Sequence, residues 1–139
     1  MSQYFCVGGT CVWNSSTRVA QLFFETAGAM VVVARRHHGI RDLGHDEYDI
    51  DLPTYQEFLQ ELTRWYLESS HKVFASLIEG FLPAALALLR KAGGDVPLLA
   101  EAAARDLEKA LYVPGGRSAI MQAERMLARA DDLASSISA

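Results

Sequence analysis

Two cysteines, four prolines and no run of basic residues are the first limits on this 139-residue chain. Two cysteines are too few for a disulfide scaffold. A net charge of −4 and a pI near 5.5, with charges spread along the chain, leave no basic stripe for phosphates, so nucleic acid is not expected as a partner. No apolar run looks long enough to span a bilayer. The longest, Phe81 to Leu89, is interrupted by Pro83, so no membrane partner is expected. The first residues lack the basic and apolar regions of a signal peptide, which points to the cytoplasm. There is no phosphate-cradling glycine motif, no CxxC and no GxSxG. Nucleotide chemistry and serine hydrolysis are therefore not expected, nor is a cofactor. The length fits one domain over residues 1–139, long enough to bury a core without a staple.

Tyr4-Phe5-Cys6-Val7-Gly8-Gly9-Thr10-Cys11-Val12-Trp13 reads as a β-hairpin over residues 1–13, with aromatic and β-branched residues flanking a Gly-Gly turn. A regular register pairs Val7 with Thr10, sets Cys6 against Cys11 at a non-hydrogen-bonded site and puts Tyr4 opposite Trp13. One face is then Tyr4, Cys6, Cys11 and Trp13, and the other Phe5, Val7, Thr10 and Val12. Both are largely apolar, so both need cover, from the chain's own helices or from a second subunit; a homodimer is the expected state. A cross-strand disulfide fits this pairing. In the cytosol the pair is expected to stay reduced, as two small apolar residues.

The rest reads as a mainly α fold of about five helices over 15–137. Asn14 is the expected cap of a first helix from Ser15 to Arg36, with Val19, Leu22, Phe23, Thr26, Met30 and Val33 as its apolar stripe. Gly39 to Asp51 reads as an irregular acidic connection in which Tyr48 to Asp51 alternates like a short strand. Asp51 caps a second helix, Pro53 to Glu68. Ser69 or Ser70 caps a third, His71 to Ala92, kinked at Pro83 and ended by Gly93-Gly94. A fourth helix starts at Asp95 with Pro97 and runs to Tyr112, and Val113-Pro114-Gly115-Gly116 breaks it. A last helix spans Arg117 to Ser136.

Four groups carry candidate chemistry. His37, His38 and His45 with Asp46 and Glu47 hold ligand types for a metal, but their spacing matches no standard pattern; a solvated loop is the expectation, with no metal. Asp49 and Asp51 alternate on one strand face and suit a cationic group or a general base; turn chemistry with a helix cap is the expectation. His71 and Glu79, eight apart, share a helix face, and Glu79 sits in an apolar stretch where burial would favour acid–base work. The aromatic residues Tyr4, Trp13, Tyr48, Tyr55, Trp65 and Tyr66 would line a peptide groove or fill the core.

Several blocks point to a family. Met1-Ser2-Gln3-Tyr4-Phe5, Trp13-Asn14 with Arg18-Val19-Ala20 and Leu22-Phe23, Asp46-Glu47-Tyr48 with Ile50-Asp51, Ser69-Ser70-His71 and Glu79-Gly80-Phe81 resemble a family of small actinobacterial proteins with no assigned activity. The match covers roughly residues 1 to 92. The chain is also similar, in size and in its lack of cofactor motifs, to the lysinoalanine-forming enzymes of cinnamycin- and duramycin-type lanthipeptide biosynthesis, which are small, dimeric and cofactor-free. That resemblance implies addition of a lysine amine to dehydroalanine in a modified lanthipeptide precursor, with the peptide itself assisting proton transfer; it carries over no residue. Orientation of this kind is worth roughly 7–11 kcal/mol. Glu79, His71 or Asp49 would accept the proton, and Tyr4, Trp13, Asn14, Tyr48 and Trp65 are the candidate substrate contacts. A nonpolar groove of Trp13, Tyr48 and Trp65 would keep the amine neutral. The competing expectation is a non-enzymatic protein- or peptide-binding module.

Overall fold

Gly8 and Gly9 both sit at positive φ, +56° and +84°. This is the geometry a two-residue hairpin turn needs and glycine supplies without strain. In the computed structural model, which describes residues 1–104 and 116–138, they join β1 (Ser2–Val7) to β2 (Thr10–Ser16). Val7 pairs with Thr10 and Cys6 with Cys11, as the regular register requires. Beyond that pair the register shifts. Val12 is an extra residue on β2, so Phe5 faces Trp13 and Tyr4 faces Asn14. A bulge of one residue moves every later side chain on that strand to the other face. The expected pairing of Tyr4 with Trp13 is corrected accordingly, and Trp13 joins Phe5 on the buried side.

The two cysteines are joined in a disulfide, which corrects the expectation of a reduced pair. The hairpin itself packs on the helices, as expected. Its inner face carries a row of stacked rings across three strands: Trp13 lies 4.9 Å from Phe5, and Phe5 lies 4.7 Å from Tyr48. Phe23 meets Phe5 and Trp13 edge-on, each at 5.5 Å.

Ser16, not Asn14, caps α1 (Thr17–Ala34), its hydroxyl accepting the Val19 N–H. Asn14 remains in β2, where its N–H donates to the Ser138 carbonyl at 2.8 Å. The α1 core stripe is Ala20, Phe23, Ala27 and Ala34. The expected stripe lies mostly on its flank: Val19 is about half exposed and Leu22 is 69% exposed. Small alanines allow close approach to the sheet, so packing selects them over the larger residues beside them.

The segment expected as an irregular connection folds into a second hairpin, β3 (Ile40–Asp42) and β4 (Glu47–Ile50). The alternation from Tyr48 marks β4, whereas β3, three residues long, is too short to stand out as a pattern. Its turn holds Gly44 at φ +78° and Asp46 at φ +57°, and the Asp42 carboxylate accepts the Gly44 N–H. Strand β4 pairs parallel to β1, giving a four-stranded mixed sheet of order β2-β1-β4-β3.

Helix α2 (Leu52–Glu68) is N-capped by Asp51, as expected, and buries Tyr55, Phe58, Leu59, Leu62 and Tyr66. The expected long third helix is two helices, α3 (Lys72–Glu79) and α4 (Leu82–Lys91). The break falls at Gly80-Phe81 because Pro83, in the first turn of α4, cannot donate back to residue 79. The α3 cap is His71, whose Nδ1 accepts the Phe74 N–H at 3.3 Å, rather than Ser69 or Ser70. Tyr55 donates its hydroxyl to the Ala85 carbonyl at 2.7 Å and ties α2 to α4; full burial holds that phenol well above its usual pKa. Helices α5 (Pro97–Ala103) and α6 (Gly116–Ala134) are the remaining helices among the described residues. The expected end of the fourth helix at Tyr112 and the break at 113–115 lie outside the described residues. Two stretches, Thr17–Ala34 and Lys72–Lys91, pass the length and composition test for a membrane span. The second is interrupted at Gly80-Phe81 and is more than half buried, as core helices are.

Candidate functional site

Three concave regions among the described residues hold some of the sequence-derived candidates. The first, about 680 Å³, lies between the N-terminal half of α1 and the C-terminal end of α3. Val19, Leu22, Phe23 and Thr26 form one wall and Leu77, Gly80 and Phe81 the other. Trp13 and Asn14 also line it, and none of its lining residues among those described is charged. The second, about 690 Å³, lies between the C-terminal end of α1 and the start of α3. It is lined by Val32, Val33, Phe74 and Trp65, with Arg35, Glu68 and His71 around them. Together they mark one apolar seam along α1 and α3, whose far ends are about 27 Å apart by the length of α1.

The third, about 1140 Å³, is polar and lies between α3 and α6. Ser69, His71, Lys72, Glu79, Gln122 and Arg125 are among its lining residues. His71 and Glu79 thus share a cleft, as their spacing predicts. Glu79 is not an isolated buried acid, however. Its Oε1 accepts from the Tyr66 hydroxyl and from the Arg125 guanidinium, each at 2.5 Å. Burial, and then the bond to Glu79, push the Tyr66 phenol up to about 12. The Oε1 of Gln122 is buried with no partner among the described residues.

The remaining candidates are elsewhere. Asp49 is on the outer face of the sheet, ion-paired with Arg41 at 3.3 Å. Tyr4 is on the same face, 40% exposed. Tyr48 is in the core, stacked on Phe5 and 5.1 Å from Phe24. The expected groove of Trp13, Tyr48 and Trp65 does not form: Trp13 and Trp65 are at opposite ends of the seam and Tyr48 is beneath the sheet. The two-residue period of β4 turns Tyr48 and Ile50 to the face opposite Asp49, and the parallel pairing to β1 puts them in the core, not in a groove.

His37 and His38 lie ring against ring at 4.5 Å, and each accepts a backbone N–H through Nδ1, from Gly39 and from Ile40. His38 is buried, and burial followed by His37 lowers its pKa. These bonds shape the turn into β3. Among the described residues, the side chains close enough to share an ion are Cys6, Cys11 and Glu47, and the two sulfurs are already bonded to each other.

The residues that sequence reasoning missed are Val73 and Leu77, 63% and 66% exposed on α3. They repeat at helical spacing and were legible as apolar, but only the assembled fold shows that nothing among the described residues covers them.

A profile described as a family of unknown function (DUF6086) matches residues 1–139. The chain belongs to DUF6086. No curated protein and no solved structure matches it. For this DUF6086 chain, the function rests on the geometry of the seam and the polar cleft.

Proposed function

We propose that this protein is an interaction module that presents the α1–α3 seam to another polypeptide. One observation carries the reading: Leu22 and Leu77 beside the first cleft and Val32 beside the second stand 69%, 66% and 80% exposed. Apolar surface is expensive to leave in water, and a contiguous patch of this kind marks an interaction surface. The clefts at its two ends supply the depth into which anchoring side chains fit. The test is a photo-crosslinking residue at position 77 in intact cells. A polypeptide adduct is expected there and none at exposed Lys91, outside the seam. No adduct at 77, or the same adducts at both positions, refutes the reading.

A second reading uses the polar cleft and is favoured by the meeting of His71 and Glu79 in it. It is the crosslinking of a lysine amine to dehydroalanine in a lanthipeptide precursor. The amine nitrogen bonds to the alkene β-carbon, the nitrogen loses a proton and the α-carbon gains one. Glu79 already accepts two hydrogen bonds, so His71 or the peptide is the better acceptor. Incubation with a dehydrated precursor is expected to give a bridge that resists thiol capping. Bridge formation at the uncatalysed rate removes this reading.

A further inference from the structure

The outer face of the sheet, away from the α1–α3 seam, gathers three metal-ligating side chains. We propose that, once its disulfide is reduced, the protein binds a zinc ion between Cys6, Cys11 and Glu47, and that oxidation of the two thiolates releases it. This is independent of the interaction reading above.

Topology is the first argument. Alternation along β1 turns Cys6 to the face opposite Phe5, and alternation along β4 turns Glu47 to the face opposite Tyr48. Cys11 is the register partner of Cys6, and β4 pairs with β1. Three adjacent strands thus each deliver one ligand to one spot, where the two sulfurs and a Glu47 carboxylate oxygen lie within 4.8 Å of one another. A tetrahedral zinc, with Zn–S of about 2.3 Å and Zn–O of about 2.0 Å, holds its sulfurs about 3.8 Å apart and each about 3.5 Å from the oxygen. The Cys11 Sγ is already 3.9 Å from Glu47 Oε1. The hairpin ladder keeps Cys6 and Cys11 opposite one another, so the freed sulfurs reach the ion by side-chain rotation.

The Glu47 carboxylate is the second argument. A disulfide sulfur carries no hydrogen, so the contact with Cys11 gives the carboxylate no donor. Glu47 makes no ion pair among the described residues, whereas Asp49, two residues along the same strand face, is paired with Arg41. Glu47 is half-buried beside two sulfurs that offer it nothing in the oxidised state. A cation shared with their thiolates supplies the missing charge.

Donor chemistry selects the ion. Two thiolates with one carboxylate suit a borderline-soft cation, and zinc accepts both donor types, with water in the fourth position. Cys6 is buried while Cys11 and Glu47 are half-buried, which leaves that position toward solvent. Reduction brings two electrons and two protons to the S–S bond from a cellular dithiol, which becomes a disulfide. Zinc then displaces the two thiol protons, and Glu47 enters as the carboxylate. In reverse, the two thiolates pass two electrons to the disulfide of another dithiol, the S–S bond forms and Zn²⁺ leaves with its charge unchanged.

The experiment is zinc titration of the full chain, oxidised and phosphine-reduced, against a chromophoric chelator. One zinc per chain is expected in the reduced form and none in the oxidised form. The chain has two cysteines, so cobalt(II) in place of zinc should show thiolate charge-transfer bands from this pair. Glu47→Gln should weaken zinc binding at least about 10-fold, with an unchanged far-ultraviolet circular dichroism spectrum because the side chain is half-exposed. Asp49→Asn should leave the affinity unchanged. No zinc on the reduced chain, or equal binding by the oxidised chain, overturns the proposal. So does unchanged affinity in Glu47→Gln, or a loss in Asp49→Asn or His45→Ala that matches or exceeds it. The cobalt bands need no variant, and their absence from the reduced unmutated chain overturns the proposal whether or not the variants fold.

Discussion

Removing the Phe5 ring tests the central claim about how the sheet is fixed to the helices. Phe5 is fully buried, stacked on Trp13 and Tyr48, and met edge-on by Phe23. Phe5→Ala removes a large buried side chain and leaves a cavity between two β-strands and a helix, a change that costs about 3–5 kcal/mol. The ring contacts add about 0.5–1.5 kcal/mol per aromatic pair beyond burial, so the expected loss is at the upper end, about 5 kcal/mol. A domain of this size has about 5–15 kcal/mol in total. Phe5→Leu keeps most of the volume and loses the stacking, and should cost only about 1–2 kcal/mol by the same reasoning. The assay is urea unfolding followed by far-ultraviolet circular dichroism with the disulfide kept oxidised. The midpoint should fall while the denaturant slope holds, because the surface exposed on unfolding is unchanged. A loss under about 2 kcal/mol for Phe5→Ala, or equal losses for the two variants, would refute the reasoning.

Three further outcomes follow from the geometry. Reducing Cys6–Cys11, which closes a short loop of sequence separation 5, should lower stability by about 2 kcal/mol on the loop-closure account; unfolding midpoints with and without dithiothreitol that coincide would contradict it. Gly39→Ala places a Cβ 3.0 Å from the Asp51 carbonyl oxygen, the Thr54 Cβ and the Tyr55 nitrogen at a φ of +75°, and should cost about 2 kcal/mol or more through strain and close contact, read as a drop in melting temperature. The folded pKa of Tyr66, about 12, lies above the value near 10 of an unfolded tyrosine. Its contribution is therefore fully present below pH 10 and is lost as pH rises through 12, by at most about 2–3 kcal/mol. Tyr66→Phe should flatten that part of the stability–pH curve, and an unchanged slope would remove the assignment.

Much of the fold was legible because its local signals agree with its tertiary structure. Gly8-Gly9 fixed the first turn, Asp51 with Pro53 fixed the start of α2, and Gly93-Gly94 fixed the end of α4. The departures have local causes. Val12 adds one residue that no periodicity reveals, and that residue turned Trp13 from the Tyr4 face to the Phe5 face. Pro83 marked an interruption, yet whether a proline bends a helix or starts a new one depends on whether the preceding residues keep the helical ladder, and here Phe81 donates to Ile78, three residues back, where the ladder of α3 ends. On α1 the apolar arc is wider than one core contact, so spacing alone chose Val19 and Leu22 where packing chose Ala20 and Ala27. The candidate site was legible only in part. The shared face of His71 and Glu79 is a helix property and came through. That Arg125 reaches Glu79 from 46 positions away is not encoded locally, nor is the separation of Trp13, Tyr48 and Trp65 into three environments.

The parallel pairing of β1 with β4 carries a consequence for synthesis. On the ribosome β1 is made before its neighbour in the sheet: it is an inner strand, and β4 emerges some forty residues after it, following all of α1. Until then the first hairpin has one unpaired inner edge and an uncovered row of aromatic rings, and a two-stranded ribbon of this kind is only marginally stable by itself. The Gly-Gly turn gives that waiting hairpin its register before its partner strand exists. The step that completes the sheet is therefore a long-range closure rather than a local one, and substitutions in β3, β4 or their turn should slow folding and raise aggregation of nascent chains more than they lower the stability of the finished protein.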